Sequence, residues 1–372
     1  MGVLKRRSNA LIIYGAILVL VVRGVWGVAG TPETTSVPEG AVVQGALAQR
    51  LDRMLAGETS AGFNGTVLIA TDGRVILHKS YGWADRRHEE PVTNATPFWI
   101  ASISKQFAAS AVLKLEESGR LSVQDSITRF FRDVPEDKKD ITIQQLLTHT
   151  SGLPRSYAAD GITDRDAAVR SILAQPLVGT PGQDFMYTND AYNLIAAIVE
   201  IASGETYEDY LREQLLDPAG LEHTGFWGPP DHPEVAAIIG EAFPDTGVAL
   251  PNWGFRGGVG MYSTAGDLYR WYLALDHDRV LTAADEQRML TAYVQRGETG
   301  VGYGWFVSPA PGNTTYFWTR GYESFGHGAV LAVYPSRHVV IALTSNSGER
   351  EPRDPVSHHL AKELADSIFA QR

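Results

Sequence analysis

Trp99-Ile100-Ala101-Ser102-Ile103-Ser104-Lys105-Gln106-Phe107 is the stretch on which the reading of this chain turns. It reads as the first turn of a helix that runs to about Glu117 and stops at Ser118-Gly119. From Phe107 to Leu115 the residues are apolar almost all round, so the helix has to be buried on most sides. Ser102 and Lys105 are three residues apart and share a face, which lets a hydroxyl meet an ammonium. The helix start also offers unpaired N–H groups and a positive dipole end, both suited to an oxyanion. A buried lysine shifts easily towards its neutral form and can take a proton from a hydroxyl. The competing reading makes Ser102 an N-cap and Lys105 a solvated side chain. A short S-x-x-K pattern does not choose between the two.

The rest of the chain supplies bounds. Its 372 residues, 44% hydrophobic and 20% charged, are enough for two domains or one domain with an insertion. The formal net charge is −11 with no basic cluster beyond the N-terminus, which disfavours a nucleic-acid partner. The absence of cysteine excludes disulfides, thiol nucleophiles, thiolate metal sites and lipid attachment through cysteine. No metal or cofactor is expected. In residues 1–30, Lys5, Arg6 and Arg7 precede an apolar run from Ala10 to Val22, and small residues follow at Gly27, Ala29 and Gly30. That run suits a secretory signal peptide and is short for a membrane span. Cleavage near Ala29 is the expectation, and an anchor continuing past Arg23 is the alternative. Either reading exports the working part to a periplasmic or extracellular site, with a membrane contact only through an uncleaved segment.

Residues 31–41 read as a polar linker and Val42 to Leu55 as a surface helix. Asn64 to Ala70 and Arg74 to Ser80 are strands joined at Asp72-Gly73, a strong hairpin signal. Helical segments dominate later, at Ile143 to Leu147, Arg165 to Leu173, Ala191 to Ala202 and Tyr207 to Leu216. Strand character returns in Thr315 to Arg320, Ala329 to Tyr334 and Val339 to Thr344, an antiparallel meander followed by a closing helix from Ser357 to Phe369. The expected architecture is α+β: an antiparallel sheet flanked by helices (residues 42–125 and 226–372) with an all-helical insertion at 126–225.

A second candidate element is Tyr187-Thr188-Asn189, just ahead of the helix at Ala191. It is either a turn with good capping chemistry or a phenol placed near Lys105. A cation close by favours a phenolate, which can accept a hydroxyl proton and pass it on. Asn189 has both donor and acceptor groups with which to hold a substrate amide.

Taken together, the motifs resemble those of class C β-lactamases and penicillin-binding-protein-like serine hydrolases. The matching stretches are Ser102-x-x-Lys105, Leu146 to Leu153, Pro181-Gly182 followed by Tyr187-x-Asn189, Gly257 to Thr264 with Asp267-Leu268, and Tyr303-Gly304-Trp305. They run in the family's order from about residue 43 to the C-terminus. The resemblance implies a helical domain inserted in a sheet domain, with the active site in the groove between them. It also implies Ser102 as nucleophile, Lys105 as its activating partner, Tyr187 as general base and Asn189 as binder of the substrate amide. The Ser102 N–H and a strand N–H just after Arg320 would form the oxyanion hole. Whether Lys105 or Tyr187 takes the proton stays open at this point.

The third family motif departs from its pattern. Counting back from Pro335 puts Arg320 where lysine or histidine is usual, and an arginine there can hold a carboxylate. It cannot shuttle a proton. His327 is the rival, although its spacing suits an aromatic packing residue. The resemblance gives His149 a loop-shaping role, and His358-His359 is expected at the surface. There is no G-x-S-x-G elbow and no H-E-x-x-H. The expected activity is that of an exported serine hydrolase acting through an acyl-serine on a small molecule or peptide: a β-lactam, a D-amino-acid peptide or a small carboxylic ester. The alternative is a peptide-recognition or regulatory protein of the same fold with little turnover.

Overall fold

The computed structural model describes residues 37–370 except 86–88, 227–251, 324–325 and 352–353. The proposed leader at 1–30 and most of the linker lie outside the described residues. Among the strands, in chain order, are β1 (Val42–Val43), β2 (Gly65–Thr71), β3 (Arg74–Tyr81), β4 (Trp83–Asp85), β5 (Glu90–Pro91), β6 (Phe98–Trp99), β7 (Gly225–Phe226), β8 (Met261–Ser263), β9 (Val294–Arg296), β10 (Thr299–Val301), β11 (Phe306–Ala310), β12 (Thr314–Tyr322), β13 (Gly328–Tyr334) and β14 (Val339–Ser345). Among the helices are α1 (Gly45–Ser60), α2 (Ser104–Glu117), α3 (Ile143–Leu147), α4 (Arg165–Leu173), α5 (Asn189–Ser203), α6 (Tyr207–Leu211), α7 (Asp217–Ala219), α8 (Ala265–Asp276), α9 (Ala283–Met289) and α10 (Val356–Phe369).

Nine described strands make one antiparallel sheet in the order β1-β3-β2-β14-β13-β12-β11-β10-β9. The hairpin expected at Asp72-Gly73 is present, both residues taking the positive φ that its tight turn requires. The C-terminal meander is β12–β13–β14, slightly longer at each end than its β-branched runs suggested. Strands β13 and β14 are buried at every position, and apolar apart from Thr344 and Ser345, because helices cover both faces. Leu331, Val333 and Ala342 face α2, α5 and α8, while Val330, Ala332 and Ile341 face α1 and α10.

The helix at the head of the decisive stretch is buried as its composition demanded. In α2, Ser104 to Leu113 are all buried, and Phe107 stacks on Trp271 of α8 at 4.3 Å. Ser102 itself lies in a short 3₁₀ turn, Ala101–Ile103, that leads into α2. Between Trp99 and Gly225 no strand is found, only helices and turns, and α5 packs its apolar length against α2. A π turn at Arg212–Leu216 extends α6, where one continuous helix was expected. The β9–β10–β11 run at the far edge was not anticipated.

Candidate active site

The turn that presents Ser102 is strained and braced. Ala101, one residue before it, has φ +46, a left-handed backbone that costs a non-glycine residue about 1–2 kcal/mol. Such a conformation persists only where its surroundings impose it. Here Ile100 N donates to Met261 O at 3.0 Å, Met261 N to Ser104 Oγ at 3.1 Å, and Ser104 Oγ to Ala101 O at 2.7 Å. The Trp99 indole N–H donates to Val259 O. The glycine-rich segment from Gly257 is therefore the buttress of the serine turn.

Lys105 is 2% exposed. Its Nζ donates to Asn189 Oδ1 at 2.6 Å, Gly258 O at 2.8 Å and Ser102 Oγ at 3.2 Å. An ammonium has three protons, and these acceptors use all of them. The same Nζ lies 4.9 Å from the centre of the Tyr187 ring and 5.5 Å from that of Tyr192. Asn189 does not cap a helix beginning at Ala191: α5 starts two residues earlier, Thr188 takes the N-cap position without a side-chain bond, and the Asn189 side-chain oxygen accepts from Lys105.

His149 holds the tyrosine in place. Its Nδ1 accepts from Thr188 N at 3.3 Å and its carbonyl from Met186 N at 2.8 Å, so it grips the chain on both sides of Tyr187. The two rings lie 4.2 Å apart. Burial, and then the charge of Lys105, holds His149 well below the usual imidazole range. The ring is neutral, and with Nδ1 accepting its proton sits on Nε2. Ser102, Lys105, His149, Tyr187, Trp305 and Arg320 are among the residues lining one open pocket.

Strand β12 forms the facing wall. A Cβ on Gly321 would stand 1.9 Å from Ile100 O and 2.9 Å from Ser102 N, so glycine is what permits this approach. Glu323 N donates to His327 O at 3.0 Å, which turns the backbone groups of Glu323 and Gly321 towards β13. Those of Arg320 and Tyr322 point to the other edge, left uncovered because β11 ends at Phe306 opposite Trp318. The strand edge beside Ser102 thus presents the Tyr322 N–H.

Side chains alternate along β12, and Arg320 falls on the far face. Its guanidinium lies over Trp318 at 5.2 Å, and its charge is felt by Tyr316, in the same layer under α1 and α10, and by His358 of α10. The main chain of Arg320 faces the pocket and its cation does not. Thr319, 2% exposed, and Gly321 occupy the groove side. His327 is fully buried beside Phe98, ring centres 6.3 Å apart, and burial pushes it down to about 3.

Some residues near the pocket were given no role in the site from the sequence. Burial pushes Glu323 up to about 7, with the charge of Lys105 pulling the other way. Tyr157, 44% exposed, sits at the rim and feels Glu323, Tyr187 and Asn189. His358 is partly buried and not a surface residue: its Nε2 donates to Gly321 O at 3.2 Å. Only the paired glycines Gly257-Gly258 carried a readable sign, since a Cβ at the first would meet Tyr192 O at 2.1 Å. Among the described residues no three His, Asp or Glu side chains are grouped to hold a metal ion.

Comparison with known proteins gives consistent matches. The family model described as Beta-lactamase matches residues 47–366. The Bacillus subtilis (strain 168) protein named "Putative penicillin-binding protein PbpX" is 30% identical over 251 residues, which is 67% of this chain and 63% of that protein. The chain thus spans less than two thirds of that relative's length. Among solved structures, a class C beta-lactamase aligns with a TM-score of 0.72 at 21% identity, over 87% of this chain and 96% of that one. The D-amino acid amidase from Ochrobactrum anthropi SV3, complexed with L-phenylalanine, aligns with a TM-score of 0.73 at 21% identity, over 88% and 100%. At these identities the structural likeness shows the fold, an antiparallel sheet with flanking helices.

Proposed function

The chain belongs to the Beta-lactamase family, and from that premise we propose that it is a serine hydrolase that forms and then hydrolyses an acyl-Ser102. The observation that carries the proposal is the set of contacts around Lys105 Nζ: Ser102 Oγ, Asn189 Oδ1 and Gly258 O in bonding range, with the Tyr187 ring beside them. All three ammonium protons are donated, so Lys105 acts as a fixed cation that orients the Ser102 oxygen. The serine proton is left for Tyr187, which must stand as the phenolate beside the Lys105 charge and becomes a phenol by taking it as Oγ attacks the substrate carbonyl. The oxyanion forms between the Ser102 N–H and the Tyr322 N–H. Tyr187 returns the proton to the leaving group, and water repeats the sequence on the acyl-serine. His149 holds the loop that aims the phenol.

The substrate is an amide or ester of a small molecule or peptide: a β-lactam, a D-amino-acid peptide or a small carboxylic ester. The leader-like residues 1–30 support an exported protein, a reading tested by sequencing the N-terminus of the mature chain. The test of activity pairs wild type with Ser102→Ala against a fluorescent penicillin and a chromogenic acetate ester. Turnover or a covalent adduct in wild type alone is the expected result. No reaction of either protein with either reagent refutes the hydrolase and favours a binding role.

A further inference from the structure

The geometry points to His358 as a positioning residue for the oxyanion hole, acting from behind the strand by a hydrogen bond to the Gly321 carbonyl that fixes and polarises the Gly321–Tyr322 peptide. This rests on the acyl-serine reading above.

Three observations carry it. First, Gly321 O and the Tyr322 N–H belong to one peptide unit, so in its trans form they point in opposite directions. The strand register sends the carbonyl towards β13 and the N–H to the open edge beside Ser102. Second, that carbonyl accepts from His358 Nε2 at 3.2 Å. A carbonyl only accepts, so the imidazole must carry its proton on Nε2. Third, the contact is built into the fold. His358 is in the first turn of α10, whose Ser357 hydroxyl lies against Gly328, directly opposite Tyr322 in the ladder. The His358 ring also meets the Tyr322 ring edge-on at 6.5 Å.

The consequence is electrostatic. Drawing electron density onto the Gly321 oxygen makes the N–H at the other end of the same peptide a stronger donor, as in any hydrogen-bonded chain. It also resists rotation of the peptide plane, which would swing the donor off the developing charge. Burial, and then the neighbouring Arg320 charge, holds His358 down at about 3, so the ring is neutral across the neutral range and has one proton, which the contact with Gly321 O places on Nε2. His358 touches no substrate, and its effect reaches the reaction only through one backbone amide.

The test uses the full chain with His358→Phe and His358→Gln, the amide of glutamine being able to replace the Nε2 donor. Each is acylated with benzylpenicillin or p-nitrophenyl acetate labelled with ¹³C at the carbonyl, and the infrared stretch of the acyl-serine is recorded beside kcat and KM. In His358→Phe the carbonyl band should move to higher wavenumber and kcat should fall about tenfold with KM within about twofold, less than the roughly 10²–10³ lost when such a donor is removed outright. His358→Gln should restore both. A Phe variant with wild-type band and kcat, or a Gln variant as impaired as Phe, overturns the inference. Should the Phe variant not fold, ¹⁵N spectra of the wild type decide: an Nε2–H tautomer for His358 at neutral pH is required, and an Nδ1–H tautomer overturns the inference. A wild type that takes no acyl group from either reagent refutes the hydrolase itself, a result distinct from acylation that ignores His358.

Discussion

Replacing Gly321 with alanine is expected to stop acylation while leaving the protein folded. The added methyl would sit 1.9 Å from Ile100 O and 2.9 Å from Ser102 N, both backbone atoms that cannot rotate away. Restoring ordinary contact requires the strand and the serine turn to separate by about 1.5 Å. Overpacking of this kind typically costs about 1–3 kcal/mol of stability, which a domain of this size can absorb. The catalytic cost is larger, because misplacement by about 1 Å alone is worth roughly 10²-fold and the Tyr322 N–H withdraws with the strand. A fall in kcat of at least about 100-fold is expected, with KM changed far less, since the lost interaction belongs to the transition state. Burst and steady-state ester hydrolysis measure both, and thermal unfolding checks that the fold survives. Gly57→Ala in α1, with nothing within 4 Å, is the control and should stabilise by up to about 1 kcal/mol. A Gly321→Ala protein with kcat within threefold of wild type refutes the placement of this strand against the nucleophile.

Other outcomes follow from charge placement. Arg320→Ala should change KM equally for anionic and neutral esters, because the guanidinium lies on Trp318; a selective rise for the anionic ester would show the arm reaching the groove. As pH rises through about 7, Glu323 ionises beside the pocket, so kcat/KM for an anionic ester should fall relative to a neutral one. In Glu323→Gln that ratio should stay flat, and a flat ratio in wild type refutes the assignment. His78, His149, His327 and His358 are all held low, burial being the first cause in each. Below about pH 6.5 the unfolded chain binds protons that the folded chain does not, so stability falls with pH, by up to about 1.4 kcal/mol per pH unit for each histidine. His327→Phe should flatten that acid limb in denaturant unfolding measured across pH, and an unchanged slope refutes its share.

What could be read beforehand followed periodicity and local chemistry. The β2–β3 hairpin announced itself through Asp72-Gly73, the meander through runs of β-branched residues, and α2 through an apolar surface with no dry side left to solvent. The edge strands β9 to β11 could not be read, because they are short, hold Gln295, Arg296 and Pro309, and are defined only by pairing. Ser102 and Lys105 meet because one helical turn puts them together. Asn189 looked like a cap because Asn-Asp before a helix is good capping chemistry, and only the fold could show that a lysine 84 positions away claims it. At Arg320, counting found the right strand, but the side that a residue faces depends on register. That register is anchored by the contact of Gly321 with the serine turn, a fact of three dimensions.

The two-residue strand Val42–Val43, where the chain joins the sheet, lies at one margin of it. Five strand spacings separate it from β12, about 24 Å. The chain therefore enters the sheet at an edge well away from the strand that faces Ser102.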